Sequence, residues 1–222
     1  MWRDAALVAG KDLRIELRSR VALAEVLPFG LVLLVLFGLA LGPDHHVLSG
    51  VAAGLFWVAV VLATILAVQR AFAIESADDA RDGLRLSGLD PAGVFCGKAI
   101  AIGAQLVALE VVLAVAGAFL FGVHLTGALE LVGACAGATV GLVSVGTVYG
   151  VVSVSARVRE TILPLLFLPV VAPVLLAAVK TSNAALSGSP SGGYVWLELL
   201  GVFAVVYSVV GAVAFGPLLE GA

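Results

Sequence analysis

Long, uninterrupted apolar stretches dominate the chain, and the polar residues gather in the segments between them. A helix needs roughly 17–25 residues to cross a hydrocarbon core of about 30 Å. Six of the apolar stretches reach this length. Their apolar residues run continuously and do not alternate with polar ones, so the pattern predicts α-helices and not the strands of a membrane β-barrel. The predicted spans are residues 26–42, 50–68, 99–122, 128–154, 161–179 and 194–216.

Composition agrees with this pattern. The 222 residues are 62% hydrophobic and 12% charged, whereas ordinary soluble domains have roughly 45–50% and about 25%. The mean hydropathy is +1.17. We therefore predict an all-α integral membrane protein in which residues 1–222 form a single transmembrane domain. The first twenty residues are too charged for a secretory signal peptide, so we expect the first span to direct insertion.

Charge and motifs exclude several functions. With 12 basic and 15 acidic residues, the chain has no basic footprint for nucleic acid. Cys96 and Cys135 lack metal-ligand spacing. His45 and His46 are adjacent to each other and are expected in a solvated loop and not at a metal. Residues 93–99 resemble a phosphate-binding loop but are one residue short and lack the final hydroxyl. We therefore predict that the chain is no enzyme and has no catalytic residue, metal or cofactor of its own.

The basic residues indicate how the chain is oriented. Lys and Arg are enriched on the cytoplasmic side of membrane proteins, and the six spans put only Lys180 on the opposite side from the others. Both termini are therefore predicted to be cytoplasmic. The basic residues on that side are Arg3, Lys11, Arg14, Arg18, Arg20, Arg70, Arg81, Arg85, Lys98, Arg157 and Arg159.

The segment before the first span, residues 2–20, is predicted to be an amphipathic helix lying in the membrane interface, with Trp2 as an aromatic anchor. A solvated charged leader is the alternative. On a helical wheel, the apolar face comprises Trp2, Ala5, Ala6, Ala9, Leu13 and Leu17, and the basic face comprises Arg3, Lys11, Arg14 and Arg18.

The longest polar segment, residues 69–98, is predicted to be a cytoplasmic loop. Residues 71–86 can form a short helix, and Gly88 and Pro91 then indicate a turn. A loop of this length suits docking of a soluble partner, since a simple link needs only a few residues. A link without a partner is the alternative.

Three features inside the predicted spans are candidates for function or packing. Glu110 lies near the middle of the third span, where an ionisable group is a functional candidate or, if protonated, hydrogen-bonds between helices. Glycines at four-residue spacing in the fourth span would let a second helix pack closely, either within the core or in a dimer. A run of prolines predicts that the fifth span is kinked or partly unwound. The glycines are Gly133, Gly137 and Gly141, and the prolines are Pro164, Pro169 and Pro173.

The chain resembles a known family, haem exporter protein B, which is the membrane subunit of the cytochrome c maturation ABC transporter. The resemblance covers most of the chain. It includes LGP at 41–43, AAGLFWVAVVLATILAVQRAF at 52–72, the acidic loop up to Lys98, and RVRETILPLLFLPVVAPVLLAAV at 157–179.

The resemblance implies an ABC-2 type permease, a bundle of six transmembrane helices in the bacterial inner membrane. It implies a homodimer, a separate ATPase subunit docked beneath the loop, a haem-handling membrane subunit with its small accessory protein, and a periplasmic haem chaperone. ATP would act through the partner, and haem would be a possible substrate. By position, it assigns coupling to Arg70, Glu75, Asp78, Leu84, Arg85 and Leu86.

Other functions remain open. A generic ABC-2 exporter of a lipid or polysaccharide would have a similar bundle, and a non-transporting assembly scaffold would have similar partners. A proton-coupled secondary transporter would use Glu110.

Overall fold

The computed structural model describes residues 1–19, 26–42, 44–77, 88–123, 127–154, 159–188 and 192–221, and its regular secondary structure there is helical. The all-α prediction is confirmed for these residues. The helices are α1 (Trp2–Ser19), α2 (Leu27–Leu41), α3 (His45–Ala77), α4 (Pro91–Phe121), α5 (Ala128–Val154), α6 (Arg159–Leu186) and α7 (Tyr194–Gly221).

Five of these helices, α3 to α7, are long and apolar enough to cross a membrane. The helix α2 is equally apolar, but its 15 residues rise only about 22 Å, which is short of a hydrocarbon core of about 30 Å. The structure therefore supports a multi-pass membrane protein with five candidate spans among the described residues. The sixth span stays a prediction.

The predicted loop at 69–98 is too long at both ends. The helix predicted at 71–86 is confirmed over its first seven residues, which are the C-terminal end of α3. Residues 78–87 lie outside the described residues. At the other end, α4 already begins at Pro91. The carboxylate of Asp90 accepts a hydrogen bond from the backbone N–H of Ala92 at 3.1 Å, and Pro91 fits the first helical position because it lacks an N–H to satisfy.

The glycines of α5 pack against helices of the same chain. A Cβ atom at Gly133 would lie 3.0 Å from the Leu197 side chain of α7, and one at Gly137 would lie 3.0 Å from that of Leu200. At Gly141 the neighbour is Val174 of α6, at 3.4 Å. Of the two alternatives for this face, the structure therefore supports packing in the core. The helix α5 lies against α3, α4, α6 and α7 and forms the centre of the bundle.

The prolines of α6 do not unwind it, because the helix is continuous through Pro164, Pro169 and Pro173. The prediction of a partly unwound segment is therefore wrong, and a kink without unwinding stays a prediction. The neighbouring helix stabilises this region, since the Tyr207 hydroxyl of α7 donates to the backbone carbonyl of Val170 at 2.9 Å.

Candidate functional site

The N-terminal helix α1 packs closely on the start of α4. A Cβ atom at Gly93 would lie 2.8 Å from the carbonyl oxygen of Met1, and one at Gly97 would lie 2.7 Å from that of Ala5. Because real Cβ atoms do not come this close to backbone, glycine is required at both positions. The two helices therefore touch along their backbones over one full turn.

The predicted apolar face of α1 is divided between two environments. Ala5 and Ala9 are buried, together with Val8, whereas 74% of Trp2 and 74% of Leu17 are exposed. Half of the face thus packs on the protein, and the other half is free to contact a membrane surface. An interfacial position for α1 stays a prediction.

A buried lysine joins α1 to the bundle. Only 1% of the Lys98 side chain is exposed, and its Nζ lies 3.4 Å from Oδ2 of Asp12. The same Nζ lies 4.8 Å from the centre of the Phe72 ring in α3, within the range of a cation–π contact. Asp12 also pairs with Lys11 at 2.8 Å. We call Asp12, Phe72 and Lys98 the latch, because they connect α1, α3 and α4.

A second contact holds the beginning of α1. Oδ2 of Asp4 accepts a hydrogen bond at 3.3 Å from the backbone N–H of Asp90, the residue before α4. This hydrogen bond, helped by the neighbouring terminal ammonium group, lowers the pKa of Asp4 below its ordinary value of 3.8. The contact therefore strengthens when the carboxylate is charged.

The predicted coupling residues lie partly beside the latch. Arg70 is half-buried in α3, two residues before Phe72, and Glu75 belongs to the last turns of the same helix. The remaining four, Asp78, Leu84, Arg85 and Leu86, lie outside the described residues. The structure does not test their role. Sequence analysis missed the latch itself, although Lys98, a basic residue close to the start of a long apolar stretch, was a signal for it.

Glu110 forms the second candidate site, in the middle of α4. Only 3% of it is exposed, and its Oε1 accepts a hydrogen bond from the Thr139 hydroxyl of α5 at 2.6 Å. The Cys135 side chain, one turn earlier in α5, lies beside the same carboxyl group. This arrangement matches the predicted hydrogen bond between helices. The sequence signal for it was Glu110 itself, a charged residue within an apolar stretch.

A cavity of about 400 Å³ lies beside Glu110. Its walls come from α2 to α6 and are almost entirely apolar, and Phe121 and Leu186 line its far end. Among the residues that the structure describes, no three His, Cys, Asp or Glu side chains gather into a metal-binding group. The side chains of His45 and His46 lie outside that description.

Comparison with known proteins identifies the family. The family model described as CcmB protein matches residues 4–220. The chain belongs to this family. Similar proteins named heme exporter protein B occur in several bacteria. The one from Haemophilus influenzae is 29% identical over 211 residues, which cover 93% of this chain and 90% of the relative.

Two further relatives with the same name show similar coverage. The protein of Pseudomonas aeruginosa is 28% identical over 205 residues, 90% of each chain. That of Paracoccus denitrificans is 29% identical over 183 residues, which cover 81% of this chain and 82% of the relative. The family match thus includes α1, the latch and all the helices around the cavity.

Proposed function

We propose that the chain is the permease subunit of an ABC transporter that exports haem for cytochrome c maturation. The observation that carries the proposal is the family match over residues 4–220, together with relatives named heme exporter protein B that align over about nine tenths of both chains. The five long apolar helices agree with a membrane-embedded subunit. ATP hydrolysis is assigned to a separate subunit, with no catalytic residue on this chain.

We propose a six-span topology in the bacterial inner membrane with both termini in the cytoplasm. The helix α2 supplies the sixth span, and its exposed apolar side chains, among them Val32, Leu36 and Leu39, favour contact with lipid over contact with water. The helix α1 then lies along the cytoplasmic surface, with the exposed Trp2 at the headgroup level.

The ATPase subunit is proposed to dock on the cytoplasmic segment between α3 and α4. The six coupling residues are at the end of α3 or in the segment that follows it: Arg70, Glu75, Asp78, Leu84, Arg85 and Leu86. The latch supports this site, because it holds α1, α3 and α4 together near the same segment. A movement imposed there reaches three helices at once.

The remaining partners follow from the resemblance. They are a second copy of this chain, a haem-handling membrane subunit with its small accessory protein, and a periplasmic haem chaperone. In this arrangement haem is the substrate or the cargo of the chaperone, and not a resident cofactor of the chain. Closure of the ATPase subunits rearranges the spans between two packed states.

The proposal is tested by a haem stain of membrane proteins from a strain without this chain, before and after the gene is restored. Covalent haem in c-type cytochromes should disappear and then return. Unchanged cytochromes in a strain with no second maturation system would contradict the proposal and favour a generic ABC permease. A partner subunit that cannot hydrolyse ATP should also abolish maturation, whereas a scaffold without transport would tolerate it.

Docking is tested by replacing Leu84 and Leu86 with Asp and measuring co-purification of the ATPase subunit. We expect the subunit to be lost, because apolar contacts are replaced by charge. Ser187→Asp is the control, since this exposed residue follows α6 at the opposite end of the bundle and its replacement should leave the ATPase bound. Retention of the ATPase by the double variant would contradict the docking site and leave the family assignment intact.

A further inference from the structure

The cavity beside Glu110 has the length of a lipid chain in one leaflet. It borders α4 from Val107 and Glu110 to Phe121. From Glu110 to Phe121 the helix rises about 16 Å at about 1.5 Å per residue. Half of a hydrocarbon core of about 30 Å is about 15 Å. The cavity therefore extends from the middle of the membrane to one of its surfaces.

The walls of the cavity offer hydrocarbon contacts and little else. Three of the lining residues have polar side chains, Glu110, Cys135 and Ser182, and the others are apolar or glycine. Two of them already have partners inside the protein: Glu110 accepts a hydrogen bond from Thr139, and the Ser182 hydroxyl accepts one from Nε1 of Trp57 at 3.0 Å. With so few polar atoms along the lining, most of a polar ligand would be buried without hydrogen bonds, which is unfavourable.

The cavity opens towards lipid. Val111 of α4 and Val132 of α5 line it and are 60% and 65% exposed. They belong to the apolar outer surface of candidate spans, so a ligand enters sideways from the bilayer.

We propose that this cavity binds one acyl chain of a membrane phospholipid, which enters between α4 and α5 and has its methyl end near Glu110. Lipid tails are as apolar as the cavity walls, so no hydrophobic effect drives entry. Entry is driven by packing, because the acyl chain gives the lining side chains van der Waals partners on the side that faces the cavity. The headgroup stays at the end of the bundle away from α1, which is the outer leaflet if the proposed orientation is right.

The test uses the purified chain in nanodiscs of phosphatidylethanolamine and phosphatidylglycerol. A small fraction of the phosphatidylethanolamine carries a photoreactive diazirine at the end of one acyl chain. After illumination, mass spectrometry maps the cross-linked residues. We expect enrichment at the cavity, in the peptides that contain Glu110 and Cys135, over the exposed face of α7. An even distribution over all lipid-facing helices would overturn the proposal.

Two variants fill the cavity, Ala114→Phe and Ala118→Phe, both at lining positions of α4. Each should remove the enrichment, because the ring occupies the space of the chain. The control is Val209→Phe, which adds an equally large side chain to the exposed face of α7 and should leave the enrichment unchanged. Only variants that purify as monodisperse protein are compared. Two filling positions are used so that the test still works if one of the variants does not fold.

Competition identifies the occupant. Loss of the cross-links when haem is added would contradict the proposal, because it would indicate that the cavity binds a porphyrin. Loss of the cross-links when unlabelled phospholipid is added supports the proposal. These measurements do not depend on cytochrome maturation. The lipid site can therefore fail while haem export stands, and the reverse also holds.

Discussion

The ammonium nitrogen of Lys98 lies 3.4 Å from Oδ2 of Asp12, and the lysine side chain is 1% exposed. The two residues are 86 positions apart in the chain. A buried charge is tolerated only when it is paired and hydrogen-bonded, since desolvation is costly. The pair therefore fixes one position of α1 on the bundle, and we expect α1 and α4 to move together.

Asp12→Asn should destabilise the protein more than Lys98→Met does. The asparagine leaves a buried ammonium group without its carboxylate, at a cost of about 1–3 kcal/mol, whereas methionine removes the cation and keeps the apolar stem. The double variant should recover part of the loss. The melting temperatures of all four proteins in detergent form the cycle that measures the coupling. Additive losses would show that the pair does not interact.

Gly97→Ala should release α1 from α4. The new methyl group would lie 2.7 Å from the backbone oxygen of Ala5, and forcing the two helices apart costs about 1–3 kcal/mol. The measurement is the rate of trypsin cleavage after Arg14, which is exposed on α1 and should be cut faster.

Gly10→Ala is the matched control for that substitution. It adds the same methyl group to α1 itself, where nothing lies within 4 Å. Alanine favours helix over glycine by roughly 0.5–1 kcal/mol, so cleavage should be unchanged or slower. Equal acceleration in both variants would contradict close packing at Gly97.

Thr139→Val should weaken the contact between α4 and α5 by about 1 kcal/mol, which is typical of hydrogen bonds inside membranes. Valine keeps the volume and removes the hydroxyl that donates to Glu110. Thr139→Ser and Glu110→Gln should be milder, because each keeps a donor and an acceptor. Thermal unfolding in detergent ranks the three. A maturation defect in Glu110→Gln with normal stability would instead favour a role for its proton.

Acidification should loosen the beginning of α1. The pKa of Asp4 in the folded protein is below 3.8, because the backbone N–H of Asp90 donates to its carboxylate. A lowered pKa contributes stability that is fully present above the unfolded value and is lost as pH falls through the folded value. The difference in melting temperature between the wild type and Asp4→Leu should be constant above about pH 5 and shrink below pH 3.8. A difference that grows with acid would contradict the contact.

Five of the six predicted spans correspond to long apolar helices, because a continuous apolar stretch of this length is itself the signal of a membrane-spanning helix. Their ends were not predicted, since α3 and α4 extend beyond the apolar stretches to Ala77 and Pro91. Hydropathy does not indicate whether a helix continues into the polar residues that flank an apolar stretch. The Asp90–Pro91 pair was a readable start signal, as an acidic cap followed by proline is a common helix beginning.

Partners across the bundle were harder to predict. Glu110 stands out in the sequence as a charge within an apolar run, but Thr139 is one of several hydroxyl residues and is selected only by the packing of α4 on α5. Likewise, the face of α1 that is buried depends on Gly93 and Gly97, which lie about ninety positions away. A helical wheel contains no such information.

The helix α4 is one continuous rod of 31 residues, about 46 Å long at 1.5 Å per residue. Near its beginning it carries Lys98 of the latch, Glu110 lies in its middle, and Phe121 in its last turn lines the cavity. A tilt of α4 imposed near Asp90 would therefore also displace the wall of the cavity, and binding at the two places would change each other's affinity by the same factor. The acyl chain proposed for the cavity and the ATPase subunit proposed to dock near Asp90 would then act on the same helix.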